Sequence, residues 1–167
     1  LVDIRLVQQN QFPAYEVSLD WVLLSNGTLD DRDALASAVI VALGTDRLAD
    51  RDDILPDLDS DDRRGWWGDL DTEEIWDGWP IGSRLWLLRR DKIVGPGAQQ
   101  GSTLVRVEQY IREAIRPFLD NRTASEMKVH AERVGRDRID AMVTLFRGPS
   151  RPVELRYSVL WEDIERA

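Results

Sequence analysis

Three runs of alternating apolar and polar residues fill the C-terminal third of the chain, and they restrict its folding more than any other feature. Met127, Val129 and Ala131 form the first run, and Ile139, Ala141, Val143 and Leu145 the second. Val153, Leu155, Tyr157, Val159 and Trp161 form the third. A period of two places each set on one face of a strand. The interruptions, Gly135-Arg136-Asp137 and Gly148-Pro149-Ser150, are short turn signals, so neighbouring strands must run antiparallel. A three-strand meander with one apolar face is therefore predicted, and that face needs a cover.

Two helical patterns can supply it. Leu35, Ala38, Val39, Ala42 and Leu43 recur at helical spacing, with Ile40 and Val41 widening the apolar face. Asp30 and Asp31 suit the helix start, and Gly44 suits its stop. A second helix is predicted from about Ser102 to Asp120, with Leu104, Val107, Ile111, Ala114, Ile115 and Phe118 on one side. Pro117 should kink this helix or end it early. Lys92–Gly101 reads as a break, and Gly82–Leu88 as a short helix capped by Ser83.

Ahead of these, Ile4 and Leu6 mark a short strand over Asp3–Val7. Tyr15, Val17, Leu19, Trp21 and Leu23 mark a second, closed by an Asn26-Gly27 turn. With 167 residues and neither repeat nor linker, one α+β domain over residues 1–167 is expected. Its two main helices pack on antiparallel sheet that ends in the meander, and a long tryptophan-rich loop joins them.

Several chemistries find no support. The chain has no cysteine, which removes disulfides and thiolate metal sites and fits a reducing cytoplasm. No apolar run is long enough to cross a bilayer, so no membrane partner is expected. Residues 1–62 carry 14 acidic and 4 basic side chains, whereas residues 63–167 carry 17 and 18. An acidic first third repels phosphates, which argues against nucleic acid, and it suits either solubility or a basic protein partner. His130 is the lone histidine and faces away from the apolar side of its strand, so it makes neither a metal site nor a triad. Asp57-Leu58-Asp59-Ser60-Asp61 opens like a calcium loop, but Asp62 and Gly68 occupy the places of the required glycine and glutamate. Glu73 and Glu74, near Trp76 and Trp79, could be drawn as a hydrolase acid pair, yet nothing in their spacing selects them.

Residues 45–81 follow no period. Asp50–Asp62 holds seven aspartates, and five of the chain's seven tryptophans lie between Trp66 and Trp86. Long loops of this kind are functional or disordered, and this indole content argues against disorder. Tryptophan and arginine together are enriched where proteins meet. Arg63, Arg64, Trp66, Trp67, Trp76, Trp79, Arg84 and Trp86 are therefore the candidate partner-binding residues.

The same segment carries a resemblance. Asp62-Arg63-Arg64-Gly65-Trp66-Trp67-Gly68-Asp69, followed by Ile81-Gly82-Ser83-Arg84-Leu85-Trp86-Leu87-Leu88, looks like the family named for the forty-sixth gene product of phage Mu. Asp3-Ile4-Arg5-Leu6, Thr45-Asp46-Arg47 and Gln109-Tyr110-Ile111-Arg112-Glu113-Ala114 fit the same pattern. That family is similar to the small wedge protein of T-even phages, the sheath initiator of contractile systems. The resemblance implies an α+β fold with no catalytic residues and no cofactor, at the tail baseplate of a virion assembled in host cytoplasm. It implies about six copies beside the central hub and spike proteins, larger wedge proteins of the baseplate J type, and the tail sheath protein. Where the wider family has a Glu-Pro-Arg docking motif, this chain has Asp120-Asn121-Arg122, so Asp120 and Arg122 join the candidates and the proline is lost.

A passive mechanism follows. The tryptophan-and-arginine segment meets wedge neighbours, while the strand Val153–Trp161, with Val159 and Trp161, offers an edge for strand addition by the sheath. The alternatives are a lysozyme-like peptidoglycan hydrolase of the tail using Glu73 or Glu74, and an acidic mimic that binds a basic protein.

Overall fold

The structure, a computed structural model, describes residues 6–10, 17–30, 34–57, 59–75, 78–89, 103–134, 138–149 and 152–160. In chain order the elements are β1 (Leu6–Asn10), β2 (Val17–Trp21), α1 (Ala34–Gly44), α2 (Thr72–Ile75), α3 (Thr103–Asp120), β3 (Glu126–Arg133), β4 (Arg138–Phe146) and β5 (Val153–Leu160). Tight 3₁₀ turns occupy Trp67–Asp71 and Leu85–Leu88. The α+β class and the C-terminal meander are as expected.

β3, β4 and β5 form an antiparallel sheet in that order, with Val129 opposite Val143 and Ala141 opposite Tyr157. Alternation sets what each face does. Val129, Ala131, Ile139, Ala141, Val143 and Leu145 are buried together with Val107, Tyr110, Ile111, Ala114 and Ile115 of α3. Val39 and Leu43 of α1 and the whole Leu85–Leu88 turn complete this core. The backbone alternates too. Val134 N donates to Arg138 O at 2.9 Å, so even-numbered residues of β3 bond β4. Odd-numbered residues of β4 then bond odd-numbered residues of β5. Glu154, Arg156, Ser158 and Leu160 consequently turn their backbone groups to the outer edge of β5.

β1 and β2 pair antiparallel as a separate two-strand sheet, with α1 packed against β1. The first strand runs on to Asn10, past the predicted limit at Val7, because the backbone of Gln8, Gln9 and Asn10 pairs with Leu19, Ser18 and Val17 of β2. A small hairpin then closes at Asn26-Gly27, where Gly27 takes φ +81 and Asn26 Oδ1 accepts from Thr28 N at 3.1 Å.

Of the two outcomes expected at Pro117 early termination is not seen, and the cap expected at Ser83 needs correction. α3 continues through Pro117 to Asp120. Proline there deletes a single donor near the helix end, and left-handed Arg122 (φ +56) closes the last turn, its N–H bonding Leu119 O at 2.9 Å. Ser83 is not a helix cap. Its Oγ donates to Leu43 O at 2.8 Å, and Arg84 occupies the cap position without a side-chain bond. Ser83 therefore fastens the 3₁₀ turn to the end of α1. Asp3–Arg5, Tyr15, Asp31, Trp76, Lys92–Gly101, the Gly135-Arg136-Asp137 turn and Trp161 lie outside the described residues.

Candidate partner-docking site

A loop without helical or sheet periodicity must find hydrogen bonds for its backbone elsewhere. Between residues 45 and 89 arginines supply many of them. Ala49 N donates to Arg63 O at 3.0 Å, and Arg63 Nε returns a bond to Ala49 O at 3.3 Å. Arg64 takes φ +54 and pairs with Asp46, its guanidinium 4.7 Å above the Trp86 ring. Trp86 is only 7% exposed, and its Nε1 donates to Arg47 O at 2.9 Å.

Arg84 is the hub of this arrangement. It bonds Asp50 at 2.7 Å, Asp53 at 3.0 Å and Glu113 at 2.7 Å, and stacks 4.9 Å over Tyr110. Arg47 bonds the other oxygen of Glu113 at 2.9 Å. Burial works against the Arg84 charge, but the bonds it donates to Glu113 and Asp53, with their negative charge, outweigh it and raise its pKa above the ordinary guanidinium value. Arg84 and Trp86, expected at a partner surface, are thus internal, and Arg63 and Arg64 spend their bonds within the chain. The sequence signal was ambiguous because the same Trp-Arg enrichment describes interfaces and stacked internal pairs alike.

The remaining tryptophans are placed otherwise. Trp66 and Trp79 are half-buried and line an apolar groove of about 330 Å³ between α1 and α3, with Val41, Pro117 and Phe118 on its walls. Among the described residues neither indole Nε1 has an acceptor and Asp69 Oδ1 has no donor, although all three atoms are shielded from solvent. Trp67 packs against Trp66 with ring centroids 5.2 Å apart, yet it is 82% exposed, and Leu70 is 87% exposed. Val41, expected in the buried face of its helix, is exposed and faces this groove. Sequence reasoning missed Leu70 and Val41; the lone leucine in Trp67–Asp71 was the available signal for the first.

Asp120 and Arg122 sit at the end of α3, where Asn121 and Thr123 line the groove. Asp120 pairs with Arg116 at 3.0 Å one turn back, and Arg122 is exposed. Val159 lies in β5, where its backbone bonds Ile139 on the inner side of the strand. Glu73 and Glu74 are exposed neighbours on α2. His130 is exposed, with Nδ1 3.6 Å from Glu108. Asp57 Oδ1 accepts from Asp59 N at 3.2 Å, and among the described residues no acidic or histidine cluster is arranged to hold a metal ion. No described helix is long and apolar enough to cross a membrane.

Fold and site together define an α+β domain with a tryptophan-lined apolar groove and an exposed indole at its rim. The chain belongs to the family described as phage protein GP46, whose family model matches residues 35–151. It is similar to the baseplate protein gp46 of Escherichia phage Mu, at 42% identity over 102 residues. That match covers 61% of this chain and 62% of the Mu protein, so less than two thirds of either is aligned. No solved structure matches.

Proposed function

We propose that this chain is a structural subunit of a contractile phage-tail baseplate, a wedge protein that links larger J-like wedge proteins, the hub and the first sheath ring. It works by docking and carries out no reaction. The observation that carries this reading is the groove and its rim. Among the described residues two indole N–H groups and a carboxylate oxygen lack partners, and an indole and a leucine stand in water. Buried polar atoms are ordinarily satisfied, and an exposed apolar cluster next to unsatisfied ones suits a neighbour. The Mu relative, named a baseplate protein, supports the same direction. A partner-facing tryptophan commonly contributes about 2 kcal/mol or more to binding.

Strand addition to β5 by a sheath segment is the second contact in this proposal. The outward backbone groups of Glu154, Arg156, Ser158 and Leu160 would provide the hydrogen bonds. The hydrolase alternative draws no comparable support: Glu73 and Glu74 are adjacent on one turn of α2 and do not face each other across a cleft.

Complementation tests the proposal. A phage lacking this gene, supplied with the wild-type chain, yields sheathed tails that contain the chain by mass spectrometry. Supplied with Trp67→Ala/Leu70→Ala it yields tails arrested at the baseplate, while the purified variant keeps its melting temperature. Sheathed tails with the variant would disprove the groove rim as the docking site, and wild-type tails lacking the chain would disprove the baseplate role.

A further inference from the structure

The two edges of the C-terminal sheet differ. Odd-numbered residues of β3 turn their backbone groups away from β4, and α3 already occupies two of them. Ala131 N donates to Glu108 Oε1 at 2.9 Å, and Arg112 Nη2 donates to Val129 O at 2.9 Å. Glu108 and Arg112 are one helical turn apart and bond each other at 2.9 Å, so they act as a unit.

The pair imitates a strand. A residue of an added parallel strand bonds the carbonyl of one residue and the N–H two positions on, here Val129 O and Ala131 N. The Glu108 carboxylate stands where the incoming carbonyl would be, and the Arg112 guanidinium where the incoming N–H would be. Burial works against ionising Glu108, but the Ala131 N–H, Arg112 and His130 together outweigh it and hold its carboxyl below the ordinary value. The acceptor therefore stays charged across the neutral range. An uncovered edge of this length invites pairing with other strands, and the most abundant matching strand is β3 of another copy.

We propose that Glu108 and Arg112 form a side-chain plug that closes the β3 edge against pairing with a second copy of this chain and directs any extension of the sheet to β5. The part concerning β5 rests on the strand-addition reading above; the plug does not.

The test uses the purified full-length chain. Glu108→Ala/Arg112→Ala is expected to form dimers with rising concentration in sedimentation velocity, where the wild type stays monomeric. In dilute solution its Ala131 amide should exchange with solvent roughly tenfold faster than in the wild type. Glu108→Gln, which keeps an acceptor oxygen, should retain the monomer and most of the Ala131 protection. A folded double variant that stays monomeric at every concentration would overturn the plug, as would unchanged exchange at Ala131. If the double variant does not fold, Arg112→Ala alone is read by the same measurements: dimers support the plug and a monomer overturns it. None of these readouts involves sheath, so failure here is distinguishable from failure of the β5 contact.

Discussion

Gly82 shows how one residue can fix the path of a loop. Its φ of +112 lies where other residues rarely go, and a Cβ there would stand 2.7 Å from Thr45 O and 2.9 Å from Arg47 N. Both obstacles are backbone atoms held by the bonds of Ser83 N to Thr45 O and Arg47 N to Ser83 O, so neither can yield cheaply. Gly82→Ala should lower stability by roughly 3 kcal/mol in urea denaturation. An unchanged midpoint would contradict the close approach. Asp62–Asp69 and Ile81–Leu88, which stand apart in sequence, meet across Thr45-Asp46-Arg47 through contacts of this kind. Individual residues were legible only as types. That Arg84 would face inward to Glu113 and Trp67 outward could not be read from sequence, because Trp67 lies where no periodicity assigns a face and the Gly82–Leu88 turn is too short for one to do so.

Elements were more legible than residues. Periods of two and 3.6 located α1, α3 and the meander because each buries one continuous face, and burial selects for that spacing. Strand edges were not legible, since backbone bonding parity depends on which neighbour a strand pairs with. The distinction bears on the choice of substitution in β5. Val159 spends its backbone N–H on Ile139, so Val159→Pro would break the internal ladder and lower stability by about 3 kcal/mol. Ser158 turns its backbone to the outer edge, so Ser158→Pro should cost less than half as much in chemical denaturation. In complemented phage it should nevertheless stop sheath assembly. Normal sheaths with a stably folded Ser158→Pro chain would exclude β5 as the added-strand site.

At the scale of the whole molecule, segments far apart in sequence create environments that none contains alone. Tyr157 of β5 shares a polar pocket with Asp46, Arg64, Trp86 and Arg89. Burial, with the Asp46 charge beside it, pushes its phenol up to about 12. An unfolded tyrosine ionises near pH 10. Between roughly pH 10 and 12 the unfolded chain therefore releases a proton that the folded chain keeps. Stability is intact below that window and falls as pH rises through it, by on the order of 2 kcal/mol from this group. Tyr157→Phe should flatten that part of the profile in denaturation series run from pH 9 to 12. An equal decline in both proteins would place the loss on other groups.

The sequence by itself determined the class of fold, the two long helices and the meander, because apolar spacing and turn residues act over a few neighbours. It also carried the paired motifs on which the resemblance to the family rests. Only the tertiary structure decided which tryptophans and arginines knit the loop to the core and which remain at its surface. That choice depends on α1, α3 and the loop closing around one another, and local spacing does not encode how they close.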